Sequence, residues 1–237
     1  MKTYYKSFSI LLISVLTLAF SSCDMGIVGN GNVEERTEDV DKFTRLDISG
    51  NFNVFLKEGK KPGLRIEADE NLQEIIKVRQ SGSLLIIDAR ENILRAKKKN
   101  LYITYTDLER VELNGAIDIR SESTIEVRSL SIFCSGASDM RLDILANKLH
   151  IDVSGATDCD LEGKVDIAEL ELSGAGDFNA IDMETKEMTV EMSGAGHARV
   201  HATEELNVDV SGAGSVRYKG NPEIRKSISG IGSLKRY

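Results

Sequence analysis

Residues 170–180 read LELSGAGDFNA, residues 190–200 read VEMSGAGHARV and residues 208–218 read VDVSGAGSVRY. In all three, apolar and polar residues alternate on both sides of a Ser-Gly-Ala-Gly turn. A unit this short cannot bury its apolar face alone and must stack on its neighbours, so such repetition dictates an architecture. Working outward, the turn glycine recurs at Gly50, Gly115, Gly136, Gly155, Gly174, Gly194, Gly212 and Gly230. From Gly115 onward the spacings are 21, 19, 19, 20, 18 and 18 residues, and the 65 residues between Gly50 and Gly115 leave room for longer turns of the same kind.

Alignment on this glycine assigns a role to each column. Two residues before it stand Ile48, Leu113, Cys134, Val153, Leu172, Met192, Val210 and Ile228. Four before it and four after it the residues are also apolar, among them Leu46, Val111, Ile132, Val54, Ile119 and Phe178. Side chains alternate between the two faces of a strand, so these columns share one side and form the core. The expected fold is all-β, a single-stranded parallel β-helix of about 18–21 residues per coil. At the corner, glycine is expected either to adopt positive φ or to admit the neighbouring coil, and the column two places on (Ser138, Thr157, Gly176, Gly196) is expected to need only a small side chain.

The N-terminus points to export. Lys2 and Lys6 precede an apolar run from Phe8 to Phe20, too short to span a bilayer, and Ser21-Ser22-Cys23 follows. Small residues directly before a cysteine resemble a bacterial lipoprotein signal, with Cys23 as the lipidated first residue of the mature chain. The expected organisation is a signal peptide over 1–22, a flexible tether over 23–42, and a β-helix domain over 43–237. Within it, residues to about 110 form irregular longer coils, and residues 111–237 form regular ones. In the irregular part, strands are expected at Arg45–Leu56, Leu64–Ala68, Ile75–Arg79, Leu84–Asp88 and Leu101–Tyr105, with a helical turn or two as the alternative over Asp69–Lys77 and a solvated basic loop at Lys97–Lys99.

The glycine series, ending in Ser229-Gly230-Ile231-Gly232-Ser233 behind a lipoprotein-like signal, resembles the auto-transporter adhesin head domain family, also called the GIN domain. The resemblance spans Phe43 to Tyr237. It implies a right-handed β-helix in an exported bacterial protein and brings no catalytic residues with it.

A net charge of −8 argues against nucleic acid or anionic lipid as the main partner, since both require clustered Lys and Arg. Chemistry must sit on outward columns. Three residues after the glycine stand Asp118, Asp139, Asp158 and Asp177, then His197 and Ser215; three before it stand Asp47, Glu112, Asp152, Glu171, Glu191 and Asp209, interrupted by Phe133; five after it stand Arg120, Arg141, Arg199, Arg217 and Lys235, with Asp160 and Asn179 between. The Asp118 to His197 ladder is the candidate ligand or cation site. Its carboxylates are expected to accept backbone N–H bonds from their own turns, with calcium as the alternative cofactor. The Asp177, His197, Ser215 succession has the order of a hydrolytic triad, but a flat ladder offers neither an oxyanion hole nor a water-excluding pocket. His150 and His201 are expected to be solvated, and Cys134 and Cys159 to be small core residues, with a disulfide between them disfavoured by their different columns.

The expectation is therefore a non-catalytic, lipid-anchored protein of the outer membrane that adheres to a glycan or protein of the envelope or a host surface, with no resident cofactor. A polysaccharide lyase or hydrolase, a passive scaffold, and homo-oligomerisation through exposed coil ends remain as alternatives.

Overall fold

The computed structural model describes residues 26–237, so Cys23 and the signal segment lie outside the described residues. Among the described residues the chain is all-β apart from one short helix. In order it runs β1 (Ile27–Val28), β2 (Val33–Glu38), β3 (Arg45–Glu58), β4 (Gly63–Asp69), α1 (Glu70–Gln73), β5 (Ile76–Ser81), β6 (Leu84–Ala89), β7 (Ile93–Arg95) and β8 (Lys99–Tyr105). The repeat region follows as β9 (Arg110–Ser121), β10 (Ile125–Leu172), β11 (Ala175–Met192), β12 (Ala195–Val210), β13 (Ala213–Lys219), β14 (Glu223–Ile228) and β15 (Ser233–Arg236).

From β9 onward, and between β3 and β9, successive elements pair parallel. The turn glycines meet in register: Gly50 opposes Gly115, and Gly115 opposes Gly136. The core columns do the same, with Leu46 beside Val111, Val111 beside Ile132, and Leu170 beside Val190 beside Val208. β10 is 48 residues of continuous extended backbone, which would reach roughly 160 Å if straight. Instead it returns alongside itself: Gly155 abuts the backbone of Gly136, and Gly174 that of Gly155. Every residue of the three expected core columns from Leu46 to Val216 is buried, with exposures of 3% or less, while Ile228 and Leu234 pack partly against the core.

Two expectations at the corner are refined. Gly50, Gly115, Gly136 and Gly230 have positive φ, whereas the constraint shared from Gly115 through Gly212 is close approach, since an added Cβ would lie 1.7 to 2.3 Å from the preceding glycine's carbonyl oxygen. The column two places on is not confined to small residues. Phe52 and Ile117 occupy it and are fully buried, followed by Ser138, Thr157 and then glycine. The side chain that fills this corner shrinks along the stack, so the space it must fill shrinks too.

The region before residue 110 departs most from expectation. The five expected strands are present as β3, β4, β5, β6 and β8, α1 realises the helical alternative, and β1, β2 and β7 are additional. The pairing is partly antiparallel: β2 with β4, β4 with β8, and β5 with β6. These are hairpin-like layers over the first rungs in place of plain longer coils. The segment expected as a tether contains β2, which completes the sheet edge beside β4. Its anchor is Asp69, fully buried, which accepts backbone N–H bonds from Gly31 at 2.9 Å, Lys97 at 3.1 Å and Lys98 at 2.9 Å. The basic run is therefore not a free loop, and Lys99 is half-buried as the first residue of β8.

Candidate functional site

Outward columns in register place like side chains one rung apart, and the surface is built from such ladders. In the aspartate ladder, Asp158 Oδ1 accepts the backbone N–H of Asp177 at 3.1 Å, and Asp177 Oδ1 accepts that of His197 at 3.0 Å. Each carboxylate thus caps the following rung, not its own turn as expected. With Asn51, Lys99, Asp118 and Asp139, Asp158 borders an open groove of about 540 Å³. At its head Lys99 donates to Asn51 Oδ1. Burial lowers the Lys99 pKa, partly offset by the nearby Asp118 carboxylate.

The triad-like succession resolves into two separate contacts. His197 Nδ1 lies 2.7 Å from Ser215 Oγ, but Asp177 holds the His197 backbone and not its ring. Among the described residues no carboxylate hydrogen-bonds to the imidazole, and His197 is exposed.

The column five residues after the corner extends further than the repeats announce. Phe55 stands on the same ladder, between Tyr102 and Arg120. Phe55 and Tyr102 rings stack with centroids 4.8 Å apart and planes 13° from parallel. The Arg65 guanidinium lies 3.8 Å from the Tyr102 centroid, and that of Arg120 lies 5.6 Å from the Phe55 centroid. The result is a row of four, Arg65, Tyr102, Phe55 and Arg120, with the Arg120 head group at the outer end of cation–π range. Next on the ladder come Arg141 and Asp160, with Arg141 Nε 3.7 Å from Asp160 Oδ2, and Asn179, which donates to Asp160 Oδ1 at 3.0 Å. Arg120, Arg141, Asp160 and Asn179 border an open groove of about 680 Å³ that Glu122, Asp143, Glu162 and Asp182 also line. Beyond Asn179, Arg199, Arg217 and Lys235 oppose one another directly. Adjacent like charges cost about 1 kcal/mol per pair near 4 Å in water, so this end of the ladder favours an anion alongside it.

His150 is the other surprise. The expectation is a solvated ring, yet it sits against Phe133, with centroids 5.5 Å apart, and Nδ1 lies near Glu169 and Glu171. Burial raises the Glu171 pKa, opposed by His150 and reinforced by Asp152, Glu169 and Glu191. His201 is half-buried, and burial lowers its pKa, with Lys219 adding to the effect against Glu184 and Asp182. Cys134 and Cys159 are both free and buried, and burial pushes the Cys159 thiol pKa upward.

Among the described residues no helix is long and apolar enough to cross a membrane. No curated protein matches the chain. A crystal structure of a protein described as a "putative adhesin" from Bacteroides fragilis NCTC 9343 is similar, with a TM-score of 0.83, 26% identity, and coverage of 90% of this chain and 100% of that one. Two further crystal structures share the fold. One is of a "putative lipid binding protein" from Parabacteroides distasonis ATCC 8503, with a TM-score of 0.72, 23% identity and coverage of 89% and 99%. The other is of a "putative adhesin" from Parabacteroides merdae ATCC 43184, with a TM-score of 0.65, 19% identity and coverage of 89% and 98%. The family described as "Putative auto-transporter adhesin, head GIN domain" matches residues 42–222, most of the chain and nearly all of the expected domain, and this protein belongs to it.

Proposed function

We propose that this chain is a lipid-anchored, right-handed parallel β-helix of the bacterial outer membrane, and that it binds an extended acidic glycan along its Phe55 to Lys235 ladder without turning it over. Membership in an adhesin family supports a non-catalytic surface or binding role and a surface or exported location. The winding is supported by parallel pairing in register at a period near 19 residues.

The observation that carries the glycan reading is the ladder itself. Its stacked end sets Arg120 against the Phe55 ring, which reduces the side-chain freedom to be lost on binding. Arg120 and Arg141 then offer planar donors to carboxylate or sulfate groups, Asp160 and Asn179 meet hydroxyls, and Arg199, Arg217 and Lys235 present a row of cations to a polymer lying across the rungs. The grooves are open, and the His197 and Ser215 pair lacks a ring-orienting acid, which favours binding over hydrolysis.

A glycan array of neutral, uronic-acid and sulfated chains, paired with turnover assays on the same sugars, tests this. Binding of acidic chains without turnover is expected; turnover would assign an enzyme, and absence of binding a scaffold. Lipidation is tested separately by the mass of the mature N-terminal peptide, which is expected to carry a diacylglyceryl group on Cys23.

A further inference from the structure

Beside the acidic column, His150 stands at a position where it meets two carboxylates. His150 Nδ1 lies 3.3 Å from Glu169 Oε2 and 3.9 Å from Glu171 Oε1, and the three donor atoms all lie within 4.8 Å of one another. Nδ1 is shielded from solvent and makes no hydrogen bond, so it is a buried nitrogen left unsatisfied beside the two carboxylates. The ring is not free to leave that position. Phe133 packs against it at 5.5 Å between centroids, and the Arg110 guanidinium covers Phe133 at 4.0 Å, itself tied to Glu112 by a 2.6 Å contact.

We propose that His150, Glu169 and Glu171 form an open, three-ligand site for a first-row divalent cation of the zinc class. Ligands 2.0 to 2.1 Å from a tetrahedral ion stand roughly 3.3 to 3.4 Å apart. The His150–Glu169 separation already matches that geometry, and the Glu171 carboxylate has to swing closer to the nitrogen to complete it. An imidazole nitrogen with two carboxylates suits Zn²⁺ or a neighbouring transition metal, whereas Ca²⁺ seeks six to eight oxygens and Mg²⁺ an octahedron of them. Glu169 and Glu171 share one outward face of a strand, and their partners on the next rung are Thr189 and Glu191. The fourth position is left to water or to a donor group on whatever surface the protein meets.

The test is calorimetric titration of the metal-stripped protein with ZnCl₂, with CaCl₂ as competitor. The expected result is one Zn²⁺ per chain, a melting temperature raised by the metal, no displacement by millimolar Ca²⁺, and at least a tenfold loss of affinity in each of His150→Ala and Glu171→Gln. His201→Ala, which removes a histidine elsewhere on the surface, is expected to bind as the parent does. Melting curves of the metal-free variants check that they fold, and the exposed Glu169→Gln supplies a third variant should either fail. Absence of zinc binding in the parent protein would overturn the site, as would binding that survives both substitutions, because the ion would then sit elsewhere and His150 would be a plain ion-pair partner.

Discussion

A Cβ built on Gly174 would lie 1.8 Å from the carbonyl oxygen of Gly155, one rung earlier. The obstacle is backbone that cannot rotate away, so any side chain at Gly174 must push two rungs apart. Gly174→Ala is expected to destabilise the protein by about 1–3 kcal/mol, the range for overpacking a well-filled site, and to lower the melting temperature by about 5 °C. The neighbouring exposed Ser173→Ala is expected to change it little, and thermal melts of the two side by side provide the check.

Asp69 is a buried latch between the N-terminal segment and the Lys97–Lys98 backbone. Burial alone would raise its pKa, but the N–H bonds from Lys98, Lys97 and Gly31 outweigh that and hold it below the ordinary carboxylate value. Its stabilisation is therefore complete above about pH 4 and is lost as the pH falls through the lower folded value. Asp69→Asn is expected to lower the urea midpoint clearly at pH 7, and the gap from the parent protein is expected to shrink towards pH 3. A gap that stays constant with pH would mean that the charge contributes nothing.

The Phe55 ring supports Arg120 from behind, outside the groove. Phe55→Ala is expected to weaken binding of an acidic glycan about 3- to 10-fold by releasing that guanidinium, since such ring contacts contribute about 0.5–1.5 kcal/mol. Affinity of the parent protein is expected to fall steeply as salt rises from 50 to 300 mM, because exposed charges are screened within about 8–10 Å. Surface plasmon resonance at several salt concentrations measures both effects.

Ser215 lies within hydrogen-bond reach of His197, so it is the residue to remove if hydrolysis is suspected. No ester or glycoside turnover is expected, and Ser215→Ala is expected to match the parent protein. A chromogenic ester panel on both proteins is sufficient, and activity lost in the variant would require a catalytic reading.

Where alternation and the corner glycine repeat together, the sequence is close to a map. Residues such as Leu170, Leu172 and Phe178 lie in the core because period-two alternation leaves no other face, and a period near 19 aligns them with Val190, Met192 and Ala198. Strand direction is not encoded in that way: β5 and β6 alternate whether their pairing is parallel or antiparallel, and only the Ser81-Gly82 turn hints at a hairpin. Asp69 reads as an ordinary loop carboxylate until Gly31 and Lys97, distant in sequence, are brought to it. Phe55 precedes the regular repeats, so the repeats alone start the ladder at Arg120, although counting five places from Gly50 finds it. His150 and Glu169 carried a legible signal too, since each lies five residues before its corner glycine and the two therefore meet across rungs.

The most direct test of the account is glycan affinity in two matched pairs of substitutions. Arg120→Ala with Arg141→Ala alters the ladder, and Lys164→Ala with Lys186→Ala removes two exposed cations that already pair with Glu184 and Asp166. The account predicts at least a tenfold loss of acidic-glycan affinity in the first pair and less than a twofold change in the second. Equal effects in the two pairs, or no binding by the parent protein, would contradict it.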